Sequence, residues 1–160
     1  MKAAKVFGIA AVGLWLCAAM EGSLAHRLSI GGLRPDFLLI FTATYAVLLS
    51  RSGASALGCV AGFLQSAVLM TNLAHYAISR TVAGFLASWS RDLEYEPRPV
   101  VVGLIVIADS LIAQFLLVLM PPPREYVAPV LDTIGSALYN GVLAMPLFAL
   151  LNKAVGTRLR

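Results

Sequence analysis

Two ionisable side chains sit deep inside apolar runs, Arg80 in HYAISRTVAGF and Asp109 in VIADSLIAQ. In lipid such a charge costs on the order of 2–3 kcal/mol on insertion scales, less where the side chain snorkels to the surface. Arg80 falls about two turns from the outer end of its run, and Asp109 near the middle of the next. Adjacent antiparallel helices bring them within roughly two turns in depth, so the spacing predicts an Arg80–Asp109 ion pair facing a bundle interior. Such a pair could belong to a substrate or proton site. It could equally fix helix packing or meet a helix of a partner. The packing role fits better, because one carboxylate lies mid-membrane and a proton relay draws on a chain of titratable groups.

Other polar residues in the apolar runs are milder. Gln65, Gln114 and Asn140 are uncharged and suit hydrogen bonds between helices. His26 and His75 both fall near the outer surface, and two histidines without a third ligand are better read as interfacial residues than as a metal site. Cys17 and Cys59 lie in apolar runs on different segments and read as small buried hydrophobes rather than a disulfide. The sequence has no G-x-S-x-G elbow, no H-E-x-x-H, no glycine-rich phosphate loop and no clustered carboxylates. The expectation is a protein with no catalytic residues, cofactor or metal; an intramembrane enzyme ranks last among the functions weighed.

The elements that position these residues must be built for lipid. Of the 160 residues, 59% are hydrophobic and 12% charged, with a mean hydropathy of +0.85. An ordinary globular domain carries about twice that charge fraction. Apolar runs of about 20 residues are what a helix needs to cross the hydrocarbon core. Six stretches qualify or come close, at about 5–26, 35–51, 54–71, 73–90, 99–120 and 127–152. The expected fold is an all-α polytopic membrane protein, six transmembrane helices in one compact bundle, with residues 1–160 as a single domain. Lys2 and Lys5 before an apolar run, with GSLA at 22–25, also resemble a cleavable leader. The run from Val6 to Met20 is long for one, so a first span is the preferred reading.

The breaks between runs are few. Gly31-Gly32 permits a tight turn, Pro35 suits the first position of a helix, and Asp36 in its first turn favours the positive end of the helix dipole. Three prolines, Pro121 to Pro123, stop the fifth span. Pro146 should kink the sixth. Gly58 and Gly62 have the small-xxx-small spacing that lets one helix approach another closely. The charged run RDLEYEPRP (91–99) is either a solvated loop or a docking segment for a cytosolic partner.

Basic residues orient the bundle. With six spans and the N-terminus inside, Lys2, Lys5, Arg51, Arg91, Arg98, Lys153, Arg158 and Arg160 are cytoplasmic, against Arg27, Arg34 and Arg124 outside. That bias favours both termini inside. A fused or re-entrant element at 35–71 would leave five spans and put the basic C-terminus outside, against the rule. The basic residues form no stripe, which argues against nucleic acid.

Four segments, in order, carry a family resemblance. They are LRPDFLLIF (33–41), GCVAGFLQSAV (58–68), ISRTVAGFL (78–86) and SALYNGVLAMPLFALLNK (136–153). Together with length and span count, they resemble the rod shape-determining protein MreD family. The chain departs from that pattern at Gln65, where an aspartate is common, in the outer turn at Asn72–Ala74, and at Arg80. The resemblance implies a non-enzymatic scaffold of the bacterial cytoplasmic membrane. It would bind MreC and, indirectly, MreB, RodA and a penicillin-binding transpeptidase. It also implies a fold like that of the substrate-binding subunits of energy-coupling-factor transporters. Pro35, Gly62, Phe63, Asn140 and Pro146 are the matched positions, and the resemblance implies architecture and partner packing for them. The competing reading is a vitamin-binding transporter subunit, with His26, Asn72, His75, Tyr76 and Arg80 as outer-half pocket residues and Ala4, Gly8 and Gly13 as a small-residue face.

Overall fold

A computed structural model describes residues 2–90, 98–119 and 127–155. The docking segment expected within 91–99, apart from its last two residues, and the PPPRE break at 121–125 lie outside them, as do Arg158 and Arg160. Among the described residues the chain forms six helices: α1 (Lys2–Ser23), α2 (Phe37–Ala46), α3 (Arg51–Leu69), α4 (Leu73–Trp89), α5 (Pro99–Leu119) and α6 (Val127–Val155). Outside them lies one isolated bridge, Ile30 to Leu33.

Four helices contain stretches long and apolar enough to cross a membrane: Ala4–Ser23, Arg51–Leu69, Pro99–Leu119 and Asp132–Val155. The span expected at 35–51 is shorter than its apolar run. Only ten residues of it are helical, about 15 Å at 1.5 Å per residue, or half the hydrocarbon thickness. Both ends are set by local chemistry. Gly31 and Gly32 take positive φ of 61° and 91°, and the Ile30 and Leu33 backbones exchange hydrogen bonds of 3.0 Å across the turn they make. Pro35 therefore lies before the cap rather than at the first helical position, and Asp36 is the N-cap itself. At the other end, the Leu48 and Leu49 amides reach back three residues to Tyr45 and Ala46. The chain then turns, and Ser50 caps α3.

Helix α2 is the centre of the molecule. Leu38 through Ala46 are all buried, and α2 packs against all five other helices. An apolar surface on every side is what a fully enclosed helix requires. On one face, Ala43, Ala46 and Val47 pack with Val102, Val106, Ala144 and Phe148. On another face, Leu38, Phe41 and Tyr45 pack with Leu14, Leu57 and Leu151. The Tyr45 hydroxyl donates to the Val6 carbonyl at 2.9 Å. Phe7 and Trp15 on α1 point outward, 76% and 69% exposed, as suits a lipid-facing surface.

Glycine sets how close the helices come. A Cβ on Gly58 would overlap the Arg80 carbonyl, one on Gly62 the Tyr76 carbonyl and Ala77, and one on Gly84 the Ala54 carbonyl. The expected small-xxx-small contact is thus the α3–α4 interface. A second contact of this kind joins α5 and α6. A Cβ on Gly141 would stand 2.8 Å from the Gly103 carbonyl, and one on Gly103 would stand 3.0 Å from the Gly141 carbonyl. Lipid tails are as apolar as the side chains, so such backbone contact is a main source of helix association in membranes.

Gly58→Ala and Gly62→Ala should each lower stability by about 1–3 kcal/mol, the usual cost of overpacking. Gly8→Ala, which meets nothing within 4 Å, should be neutral. Unfolding in mixed micelles on titration with a denaturing detergent gives the comparison. Equal stability of all three variants would refute close α3–α4 contact.

Candidate functional site

The N-terminus of α2 is buried, and its amides need acceptors there. Asp36 Oδ1 accepts from the Leu39 amide at 2.8 Å. Glu21, near the end of α1, accepts from the Phe37 amide at 2.8 Å. The Asp36 amide donates to Asn140 Oδ1 of α6 at 3.0 Å, and Asn140 Nδ2 donates to Ser110 Oγ of α5 at 3.2 Å. Two carboxyl groups therefore stand at the positive end of the helix dipole, where negative charge is favoured.

Arg80 completes the arrangement. Its side chain is fully buried. Nη2 donates to Asp36 Oδ2 in an ion pair, and Nε donates to Gln65 Oε1 of α3 at 2.6 Å. Nη1 lies 3.4 Å from Ser79 Oγ, whose hydroxyl donates to the Ala113 carbonyl of α5 at 2.8 Å. The guanidinium carbon is 5.5 Å from the centre of the Tyr76 ring, within cation–π range. Glu21, Asp36, Gln65, Ser79, Arg80, Ser110 and Asn140 thus form one polar layer, with contributions from every helix.

The predicted Arg80–Asp109 pair does not form. The guanidinium takes Asp36 instead, and among the described residues neither Asp109 oxygen has a hydrogen-bond partner. The reason lies in the late start of α2. Because the helix begins at Phe37 rather than Pro35, its cap is drawn into the interior at the level of Arg80. Asp109 remains buried on α5, and Arg80's charge still acts on it. The expected topology could have pointed to Asp36, since it puts the start of the second apolar run and Arg80 toward the same end of the bundle. Glu21 was hidden by its position at the end of an otherwise apolar run.

The other expected site residues divide by position. Pro35 and Asn140 are buried beside the polar layer, and Gly62 is buried in the α3–α4 contact. Phe63 is 43% exposed. Pro146 is exposed, and α6 runs on through it. Gln65 and Asn140 make the interhelical hydrogen bonds expected of them. His26 is exposed and His75 half-buried. Among the described residues, no group of three His, Cys, Asp or Glu is placed to hold a metal ion.

Comparison of the chain with protein-family models, with curated proteins and with solved structures found no match. Its class rests on the fold, which among the described residues is all-helical with four helices of membrane-spanning length and apolarity.

Removing one partner of a buried ion pair strands the other charge. Asp36→Ala should therefore lower stability by about 3–5 kcal/mol. Asp36→Asn combined with Arg80→Gln should lose clearly less than the sum of the two single changes, because the double variant buries no charge. A double-mutant cycle in micelles measures this coupling. Simple additivity would show that Arg80 and Asp36 do not depend on each other.

Proposed function

We propose that the chain is a non-enzymatic scaffold subunit of the bacterial cell-elongation machinery, of the MreD type, that binds MreC. Through MreC it would act with MreB, RodA and a penicillin-binding transpeptidase in peptidoglycan synthesis. It would sit in the cytoplasmic membrane as a multi-pass protein with both termini inside. In that topology α2 and its flanking turns return the chain from the outer side to the start of α3. The bundle plan would be that of the energy-coupling-factor substrate subunits.

One observation carries the reading. The four segments behind the resemblance, distant in sequence, converge on the polar layer. LRPD supplies Asp36, GCVAGFLQ supplies Gln65, ISR supplies Ser79 and Arg80, and the YNG of the last segment supplies Asn140. Motifs that meet in one place act as one architectural unit. The role implied for Gly62 and Asn140, packing rather than catalysis, accords with their contacts.

A vitamin-binding transporter subunit is the second reading, and the interior polarity speaks for it. Against it, the groups are engaged with one another. The three guanidinium nitrogens of Arg80 donate to Asp36, Gln65 and Ser79. A ligand pocket instead presents polar groups that converge on an empty space.

Affinity purification of the tagged chain from native membranes, followed by mass spectrometry, separates the readings. The expected co-purifying protein is MreC, with or without RodA and its transpeptidase. Recovery of ATP-binding subunits with a coupling membrane protein, or of a tightly bound vitamin, would replace the scaffold reading with the transporter one.

A further inference from the structure

Among the described residues, the polar layer leaves one buried carboxyl out. Asp109 is 2% exposed, and among the described residues neither oxygen has a hydrogen-bond partner. It lies on the buried stripe of α5 between Val106 and Ala113. Val106 belongs to an aliphatic cluster with Ala43 of α2, Ala87 of α4, and Ala144 and Phe148 of α6. One turn to the other side, Ala113 clusters with Leu39 of α2 and Ala83 of α4. The carboxyl is therefore set between two apolar layers.

The groups near it are accounted for. From α4, Arg80 is the cation whose charge acts on Asp109. Its guanidinium nitrogens are engaged with Asp36, Gln65 and Ser79, and Tyr76 lies against it. From α2 comes the Asp36 carboxylate, already paired, with Glu21 of α1 beside it at the same helix end. From α6 comes Asn140, which carries no charge and is bonded to Ser110. Three carboxyl groups thus share the vicinity of one guanidinium. An ionised carboxylate with no donor in an apolar interior is strongly disfavoured, whereas the neutral acid bears only the cost of a buried polar group.

We propose that Asp109 is an intramembrane proton-binding site, occupied by a proton in this arrangement of the helices. The inference does not depend on the scaffold reading. It gives the site a definite consequence: loss of the proton creates a second carboxylate competing with Asp36 for Arg80. Deprotonation therefore acts on the ion pair that holds the N-terminus of α2. The packing of the central helix becomes sensitive to the proton on a side chain that has no hydrogen-bond partner among the described residues.

Infrared spectroscopy of the full chain in phospholipid vesicles tests this, with aspartate isotopically labelled at its carboxyl carbon. At neutral pH the spectrum should contain a label-shifted protonated-carboxyl band that moves on exchange into D2O. Asp109→Asn should abolish that band. Asp109→Glu, in which the acid is unlabelled, should remove the labelled band and add a protonated-carboxyl band at the unlabelled position beyond any that the wild type already has from Glu21, which covers the case in which the Asn variant fails to fold. Absence of a labelled protonated-carboxyl band in the wild type, or its persistence in either variant, would overturn the proposal.

Discussion

A guanidinium with no exposure to solvent is the constraint from which the other features follow. Arg80 cannot snorkel, because its nitrogens are held inside by Asp36, Gln65 and Ser79. Each partner must then come from a helix held at the right height. Asp36 reaches it because α2 starts inside the bundle, where Asn140, Glu21 and Asp36 accept from the Asp36, Phe37 and Leu39 amides at its end. The short central helix and the buried cation are two halves of one solution. An open helix end needs negative charge, and a buried arginine needs a carboxylate.

Backbone contact makes this geometry attainable. Gly58 and Gly62 let α4 press against α3 at the residues flanking Arg80, so the side chain leaves its helix already beside Gln65. Gly103 and Gly141 draw α5 and α6 together, and Asn140, next to Gly141, then bridges Ser110 and the Asp36 amide. Both glycine contacts thus bring polar side chains within hydrogen-bond reach. Larger residues there would separate the helices and leave donors and acceptors unpaired in an apolar medium, where the cost is greatest.

Much of this was legible in the sequence, for identifiable reasons. The long helices follow from the length of the apolar runs, and the α3–α4 contact from the spacing of Gly58 and Gly62. Arg80 stands out because a charge in an apolar run has few explanations. The extent of α2 was not legible. Between Phe37 and Leu49 only Thr42, Thr44 and Tyr45 interrupt the apolar residues and they mark no helical face, so the pattern does not reveal where helix gives way to turn. That error displaced Asp36 to the surface and left Asp109 as the apparent partner of Arg80. The Gly103–Gly141 contact was hidden for another reason. It joins residues far apart in sequence, and the small-residue spacing Ala137–Gly141 on α6 does not reveal that Gly103 of α5 is its partner.

The layer also bears on what sort of folded state the chain has. A buried ion pair adds little to stability compared with apolar residues of the same shape, but breaking it is costly. The penalty therefore falls on wrong arrangements more than the benefit falls on the right one. Because all six helices contribute to this layer, withdrawing any of α2, α3, α4 or α6 strands a charge, an amide or a carbonyl that lipid cannot satisfy. Apolar packing between these helices is permissive of sliding, since alanine and leucine offer many near-equivalent registers. The polar contacts are not, because a shift of one turn, about 5.4 Å, removes every donor from its acceptor. Register is thus fixed at the polar layer, while the apolar clusters need only follow.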